Sequence, residues 1–332
     1  MRAQLKFILP IAGIVLLLAA YSGYWFYAAG RVGEEMRAWI LDKEEAGYEI
    51  DYSDLRVSGF PYRFQIQLSE PHFRAPPSDG GWDARLAGVR ANALPYDFSH
   101  WIVSFEGPLV LDSGDVLEIN ASSARMSRKS GRDGRTQRIG AEVRDLTMRA
   151  ISGEPPAIAA IDAFFLSGVV GEDDSLRVRM EASGLRARPA SPDEPGLTRA
   201  FGESGQLART ELIFTEWSAL ARDGNAAVWS QAGGRMQIVQ AKLEWGPAQV
   251  SGEGDLTLDR QARPDGRISL RIADPDALTD ALIEGEVIAA ANGEALRLAT
   301  MLAPRSSEGV SLPFTLRDGA VYLGPVRLGS ID

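Results

Sequence analysis

The chain has no cysteine, so disulfides, thiol catalysis, zinc–thiolate sites and a lipid-modified N-terminal cysteine are excluded. Histidine is nearly absent: His72 and His100 are the two, in Ser69-Glu70-Pro71-His72-Phe73 and Phe98-Ser99-His100-Trp101. Neither shows metal-ligand spacing or a recognisable partner in the sequence. No Gly-x-Ser-x-Gly elbow is present to suggest a hydrolytic triad. Gly252-Glu253-Gly254 lacks the third glycine and following helix of a dinucleotide site, and Glu172-Asp173-Asp174 does not extend into a calcium loop. Positive charge is also short: the formal charge is −10 and the pI near 4.9, which disfavours nucleic-acid phosphates as partners. These absences point to a protein that is not an enzyme, with no catalytic, cofactor-binding or metal residues to name.

What is present first is a long apolar run. Residues 7–30 carry no charged side chain, and a helix of that length, at about 1.5 Å per residue, spans a hydrocarbon core of about 30 Å. Arg2 and Lys6 precede the run, whereas Arg31, Glu34, Glu35, Arg37 and Lys43 follow it with mixed sign. That asymmetry places the N-terminus in the cytoplasm and the body outside it. Tyr21, Tyr24, Trp25, Phe26 and Tyr27 gather at the far end, where amphipathic rings suit the headgroup layer. A cleaved signal peptide is the competing reading, since Ala20-Tyr21-Ser22 offers small residues at the needed spacing. The aromatic continuation past that point favours retention. The expected order is a cytoplasmic tail over 1–6, a transmembrane anchor over 7–30 and an amphipathic stalk over 31–46, where Val32, Met36, Trp39 and Ile40 recur at helical spacing.

Beyond the stalk, period-two alternation dominates. Phe64, Ile66 and Leu68 alternate with Arg63, Gln65 and Gln67, as in a half-buried strand. Leu176, Val178 and Met180 alternate with arginines, Met236 and Ile238 open a strand running to Trp245, and Leu256 and Leu258 face Ile268, Leu270 and Ile272 across a turn at Arg263-Pro264-Asp265-Gly266. Helix signals are fewer: Asp274-Pro275 before Ala277, Leu278, Ala281 and Leu282, and a second helix over 294–302. The C-terminal part returns to strand with Leu312, Phe314 and Leu316, a turn at Asp318-Gly319, then Val321 and Leu323. The fold class this predicts is mainly β (β-rich α+β): an N-terminal transmembrane helix, then a large antiparallel meander with a few covering helices. The proline-rich stretch at 189–195 is the expected internal boundary, dividing a first β-rich half over 47–188 from a second over 196–332 with short helices near 275–303.

Arg125, Arg128, Lys129, Arg132, Arg135 and Arg138 surround Ser130-Gly131-Arg132-Asp133-Gly134, a positive concentration on an expected hairpin tip. It lacks the interleaved aromatics of a nucleic-acid platform. A solvated loop is the plain reading of such a tip; the functional one is contact with anionic headgroups, which needs only charge near a surface and makes Arg128, Lys129, Arg132 and Arg135 the candidate headgroup ligands.

Several segments resemble an uncharacterised bacterial family of inner-membrane-anchored envelope proteins: Val57-Ser58-Gly59-Phe60-Pro61-Tyr62-Arg63-Phe64, Leu94-Pro95-Tyr96, His100-Trp101, Trp245-Gly246-Pro247, Gly252 to Asp259, and Leu312 to Gly319 with Leu323-Gly324-Pro325. The hairpin in the middle is also similar to pieces of AsmA-like envelope proteins. The resemblance implies a single-pass protein of the bacterial inner membrane with its bulk in the periplasm. Through the AsmA-like similarity it implies a long curved sheet with an apolar groove for lipid chains, and no family catalytic residue is available to carry over. On that reading Leu256, Leu258, Ile268, Leu270 and Ile272 are the candidate groove residues and a phospholipid or other envelope lipid the expected partner. A membrane-anchored scaffold without ligand is the alternative, and a hydrolase the remote one.

Overall fold

The computed structural model describes residues 2–189, 196–259, 261–307 and 309–330. It is β-rich, with antiparallel strand pairing, and the chain falls into two compact units. The expected halves do not coincide with them. The first unit takes 1–119, 125–134 and 151–153, and the second takes 120–124, 135–150 and 154–332. Residues 190–195 of the expected boundary lie outside the described residues.

The first unit begins with one unbroken helix, α1 (Arg2–Glu45). No break separates anchor from stalk at residue 30, because Arg31 pairs with Glu34 at 3.1 Å one turn on and no proline intervenes. The helix stops where Gly47 takes φ +92° and donates its N–H to Glu44 O at 2.9 Å, a left-handed cap open to glycine. Short strands follow: β1 (Glu49–Asp51), β2 (Asp54–Ser58), β3 (Phe64–Ser69), β4 (His72–Arg74), β5 (Asp83–Arg85), β6 (Gly88–Leu94), β7 (Asp97–Glu106), β8 (Leu109–Asp112), β9 (Val116–Asn120) and β10 (Ser123–Ser130). They pair as β2–β3–β6–β7 and as β1–β4–β5–β8–β9. The alternation in β3 is as expected, with Phe64, Ile66 and Leu68 all buried.

The second unit holds β11 (Thr136–Ser152), β12 (Ile158–Val170), β13 (Leu176–Ala187), β14 (Ser204–Phe214), β15 (Met236–Trp245), β16 (Ala248–Leu258), β17 (Pro264–Ile272), β18 (Arg305–Ser306), β19 (Gly309–Arg317), β20 (Ala320–Leu323) and β21 (Val326–Ser330). From β11 to β17 each strand pairs with the next, and β17 pairs with β19, which pairs with β20, itself paired to β21. Helices α2 (Leu197–Phe201), α3 (Trp217–Asp223) and α4 (Ala226–Gln231) interrupt the meander, and α5 (Pro275–Glu284) and α6 (Ala290–Leu302) connect β17 to β18. Asp274 caps α5 by accepting the Ala277 N–H at 3.0 Å, as its position before Pro275 predicts. The turn between β16 and β17 differs from expectation. Asp259 accepts from the N–H groups of Gln261 and Arg263 ahead of it, and Pro264, Asp265 and Gly266 are already in the strand.

Candidate functional site

Strand register sorts the second unit into two chemically distinct faces, because residues directly opposite in an antiparallel pair share a face. One row runs Phe164–Ala182–Ala208–Leu243–Val250–Ile272–Val310 from β12 to β19. The next runs Leu166–Met180–Thr210–Ala241–Gly252–Leu270–Leu312. Of these fourteen positions only Thr210 is polar. The opposite face carries the charges: Glu181 accepts from Arg209 at 2.8 Å, and Glu211 accepts from Arg177 at 2.5 Å and from Arg179 at 2.8 Å. Those bonds from Arg179 and Arg177 outweigh burial and hold the Glu211 carboxyl below its ordinary range.

Helices cover the apolar face only in part. Over β16, β17, β19 and β20 a closed core joins Ala248, Ile272, Val310, Leu312 and Leu323 to Leu278 of α5 and Leu296 of α6. Towards β12 the rows are half-buried rather than buried, and a concavity of about 320 Å³ opens there. Small residues from four successive strands, Ala182, Ala208, Ala241 and Gly252, form its floor. Phe164, Met180, Leu243 and Leu270 stand around it. A Cβ on Gly252 would come within 2.6 Å of Leu270 Cδ2, so the missing side chain leaves room for Leu270 to lean in. The lining strands β12 to β17 span five gaps of about 4.8 Å, roughly 24 Å along the sheet. That exceeds the roughly 15 Å of one leaflet's acyl chains, half of a core of about 30 Å.

Leu256, Leu258, Ile268, Leu270 and Ile272 do share this face, since Gly252 pairs Leu270, Gly254 pairs Ile268, Leu256 pairs Gly266 and Leu258 pairs Pro264. Only Leu270 lines the concavity. Ile272 is in the closed core at 3 % exposure, Leu256 is buried at 8 %, and Leu258 and Ile268 are half-buried outside the concavity. The floor residues are faint in the sequence because alanine and glycine carry little hydropathy. Their signal was positional, small residues at the apolar phase of consecutive strands.

Of the basic tip, Arg128, Lys129 and Arg132 fall in the first unit and are exposed. The turn closes with the Gly134 N–H donating to Gly131 O at 3.1 Å, and Arg128 reaches Gly134 O at 3.4 Å. Arg128 and Lys129 are consecutive in β10 and point to opposite faces. Arg135 is also exposed but belongs to the second unit.

His72 has partners that its sequence context did not reveal. Its Nε2 lies 2.7 Å from Asp83 Oδ2 on the neighbouring β5, and its Nδ1 lies 3.9 Å from Asp51 on β1. Arg74 and Arg85 also hold Asp83, at 3.1 and 3.3 Å, and Arg74 reaches Glu49. Burial raises the Asp83 pKa, but the hydrogen bond and charge of His72, the charge of Arg85 and the hydrogen bond from Arg74 outweigh it, so the carboxyl lies below its ordinary value. The cluster links three strands, β1, β4 and β5, by charge. A lowered folded pKa means stabilisation that is complete above the unfolded value of about 4 and is lost as pH falls through the folded value. Asp83→Asn is therefore expected to lower first-unit stability at pH 7 and to flatten its decline below pH ~4. Urea unfolding from pH 3 to pH 7 measures both, and identical profiles for variant and parent would refute the assignment. His100 lies on β7, half-buried, and is near enough to Asp97 to help hold that carboxyl down, behind the stronger hydrogen bonds from Ser99.

Among the described residues no group of three or more His, Asp or Glu is arranged to hold a metal ion. The helix α1 is long and apolar enough over residues 13–45 to cross a membrane. The family described as uncharacterized proteins conserved in bacteria, DUF2125, matches residues 25–332, and the chain belongs to it. No curated protein matches, and no solved structure does, so the AsmA-like likeness has no counterpart among these findings.

Proposed function

We propose that this is a non-enzymatic envelope protein, anchored in the bacterial inner membrane by α1 with its two units in the periplasm, that holds a lipid acyl chain against the apolar face of the second unit. The observation that carries it is the half-covered face: seven strands present an apolar surface, helices close it over β16 to β20, and a concavity with a floor of small side chains remains over β13 to β16. Burying a methylene is worth roughly 0.8 kcal/mol, so a chain of ten or so methylenes is held without a specific polar ligand. The scarcity of chemical motifs fits a site of that kind. The charge asymmetry about α1, Arg2 and Lys6 before the apolar run, supports the periplasmic orientation.

Photoactivatable, clickable phospholipid in nanodiscs holding the full chain tests this reading. Adducts are expected on peptides covering 164–182, 208–210 and 241–252, as well as on α1. Ala208→Phe fills the floor at a half-buried position, so it should cut the groove adducts at least several-fold. The α1 adducts should stay unchanged and stability should move by no more than about 1 kcal/mol. Adducts confined to α1 in the parent protein would overturn the proposal.

A further inference from the structure

The upper part of the apolar helix is attached to its own β-unit. From Tyr21 onwards α1 is held by the turn that precedes β3. The Tyr21 hydroxyl donates to Pro61 O, Trp25 Nε1 donates to Arg63 O at 3.3 Å, and Phe26 stacks on Phe60 with ring centres 5.5 Å apart. The turn before β7 grips the same helix, as Tyr24 donates to Pro95 O at 3.0 Å. Trp25 and Ala29 are buried in that contact, whereas Ile14 to Leu18 below it are 57–72 % exposed.

This attachment fixes a length. The apolar run below the first contact, residues 7–20, is 14 residues and so about 21 Å long at about 1.5 Å per residue. A hydrocarbon core is about 30 Å thick. The remaining 9 Å or so must be crossed by residues 21–26, and those residues carry the two turns with them. The helix cannot span a bilayer unless the turns reach the far interface.

The side chains they present suit that depth. Tyr62 is 81 % exposed and Tyr96 83 %, and Phe60 and Leu94 in the same two turns are exposed as well. Exposed Arg63 adjoins Tyr62. Aromatic rings that are part apolar and part hydrogen-bonding favour the headgroup layer, and an arginine among them can reach lipid phosphates. Gly59 makes the first turn possible: at φ +104° a Cβ there would fall 2.6 Å from Arg63 O, and its carbonyl accepts from the N–H groups of Tyr62 and Arg63 at 3.1 Å each.

We infer that the Gly59–Arg63 and Leu94–Tyr96 turns are a membrane-seating surface, with Phe60, Tyr62 and Tyr96 embedded in the headgroup layer of the leaflet that α1 leaves. The base of the first unit then rests in the bilayer instead of standing off it on a stalk. This rests on α1 being inserted, and not on any ligand in the second unit.

The absence of cysteine gives a clean test in the full chain. Tyr62→Cys and Tyr96→Cys are labelled with an environment-sensitive fluorophore in nanodiscs of phosphatidylethanolamine and phosphatidylglycerol. Ser78→Cys is the reference; it is exposed beside Pro76, which packs on Gly47 at the opposite end of α1, about 36 Å further along the helix. Probes at 62 and 96 should be blue-shifted, quenched by lipids spin-labelled at the headgroup, and shielded from aqueous iodide several-fold relative to position 78. Equal iodide access at all three positions overturns the inference, and so does recovery of the chain outside the bilayer. Both tyrosines are more than four-fifths exposed, so the replacements leave the fold intact, and matching circular dichroism and melting curves confirm it.

Discussion

Phe64→Ala is expected to destabilise the first unit by about 3–5 kcal/mol, enough to leave much of it unfolded at 37 °C if its stability lies low in the usual range. Phe64 is fully buried, and its ring is stacked between Trp25 of α1 at 5.0 Å and Phe98 of β7 at 5.1 Å. The change removes a large apolar side chain, leaves a cavity, and forfeits two aromatic pairings worth about 0.5–1.5 kcal/mol each. It also cuts the link between α1 and β3, since Trp25, Ala29 and Phe64 form one buried cluster with Val57 packed against it. Phe98→Ala is a graded comparison: that side chain is 39 % exposed and should cost less than half as much. Urea unfolding of the full chain in nanodiscs, followed by tryptophan emission and protease sensitivity, reads both variants. A loss below 1 kcal/mol for Phe64→Ala would mean that α1 and the β-unit are not energetically joined at Trp25.

That joint explains why parts of the architecture were legible in the sequence and parts were not. Where one face of a strand is buried and the other wet, alternation reports the strand directly, as in β3, β13, β15 and β19. Asp274-Pro275 reported the start of α5 because an N-cap and a proline at the first turn act locally. The docking of α1 was hidden, since an aromatic residue facing lipid and one facing Phe64 look the same in a sequence. Helices α3 and α4 were hidden for a related reason. They are short, and their one strong signal is Asn225, whose side chain accepts from the N–H groups of Ala227 and Val228. What fixes α4 is non-local, Trp229 donating to Thr215 O at 2.7 Å and packing near Phe214. The His72–Asp83 pair, eleven positions apart in sequence, becomes visible only once β4 lies beside β5. The division into units is set by contact density, which composition does not report, whereas the prolines near 190 are a feature of composition.

The sharpest contrast concerns two residues separated by one position on the same strand and the same face. Ile272→Asp is expected to abolish folding of the second unit, whereas Leu270→Asp should leave it folded and remove lipid from the groove. Ile272 is 3 % exposed and packed in the cluster that α5 and α6 close, so an aspartate there is a buried charge with no cationic partner in that cluster. Such a group costs several kcal/mol whether it stays ionised or takes up a proton, which is comparable with the whole stability of a domain. Leu270 is half-buried and borders the open concavity, so a carboxylate there keeps much of its hydration. Its cost to folding should stay near 1–2 kcal/mol, while a charge at the rim opposes an acyl chain lying across Gly252 and Ala241. Melting curves and photoadduct yield, measured together on both variants, separate the cases. If Leu270→Asp unfolds the unit as fully as Ile272→Asp does, the concavity is closed core and the lipid reading fails. If Leu270→Asp folds and keeps its groove adducts, the chain lies elsewhere on the face. Folding retained with adducts lost is the outcome that a half-covered sheet, open towards β12 and sealed towards β19, requires.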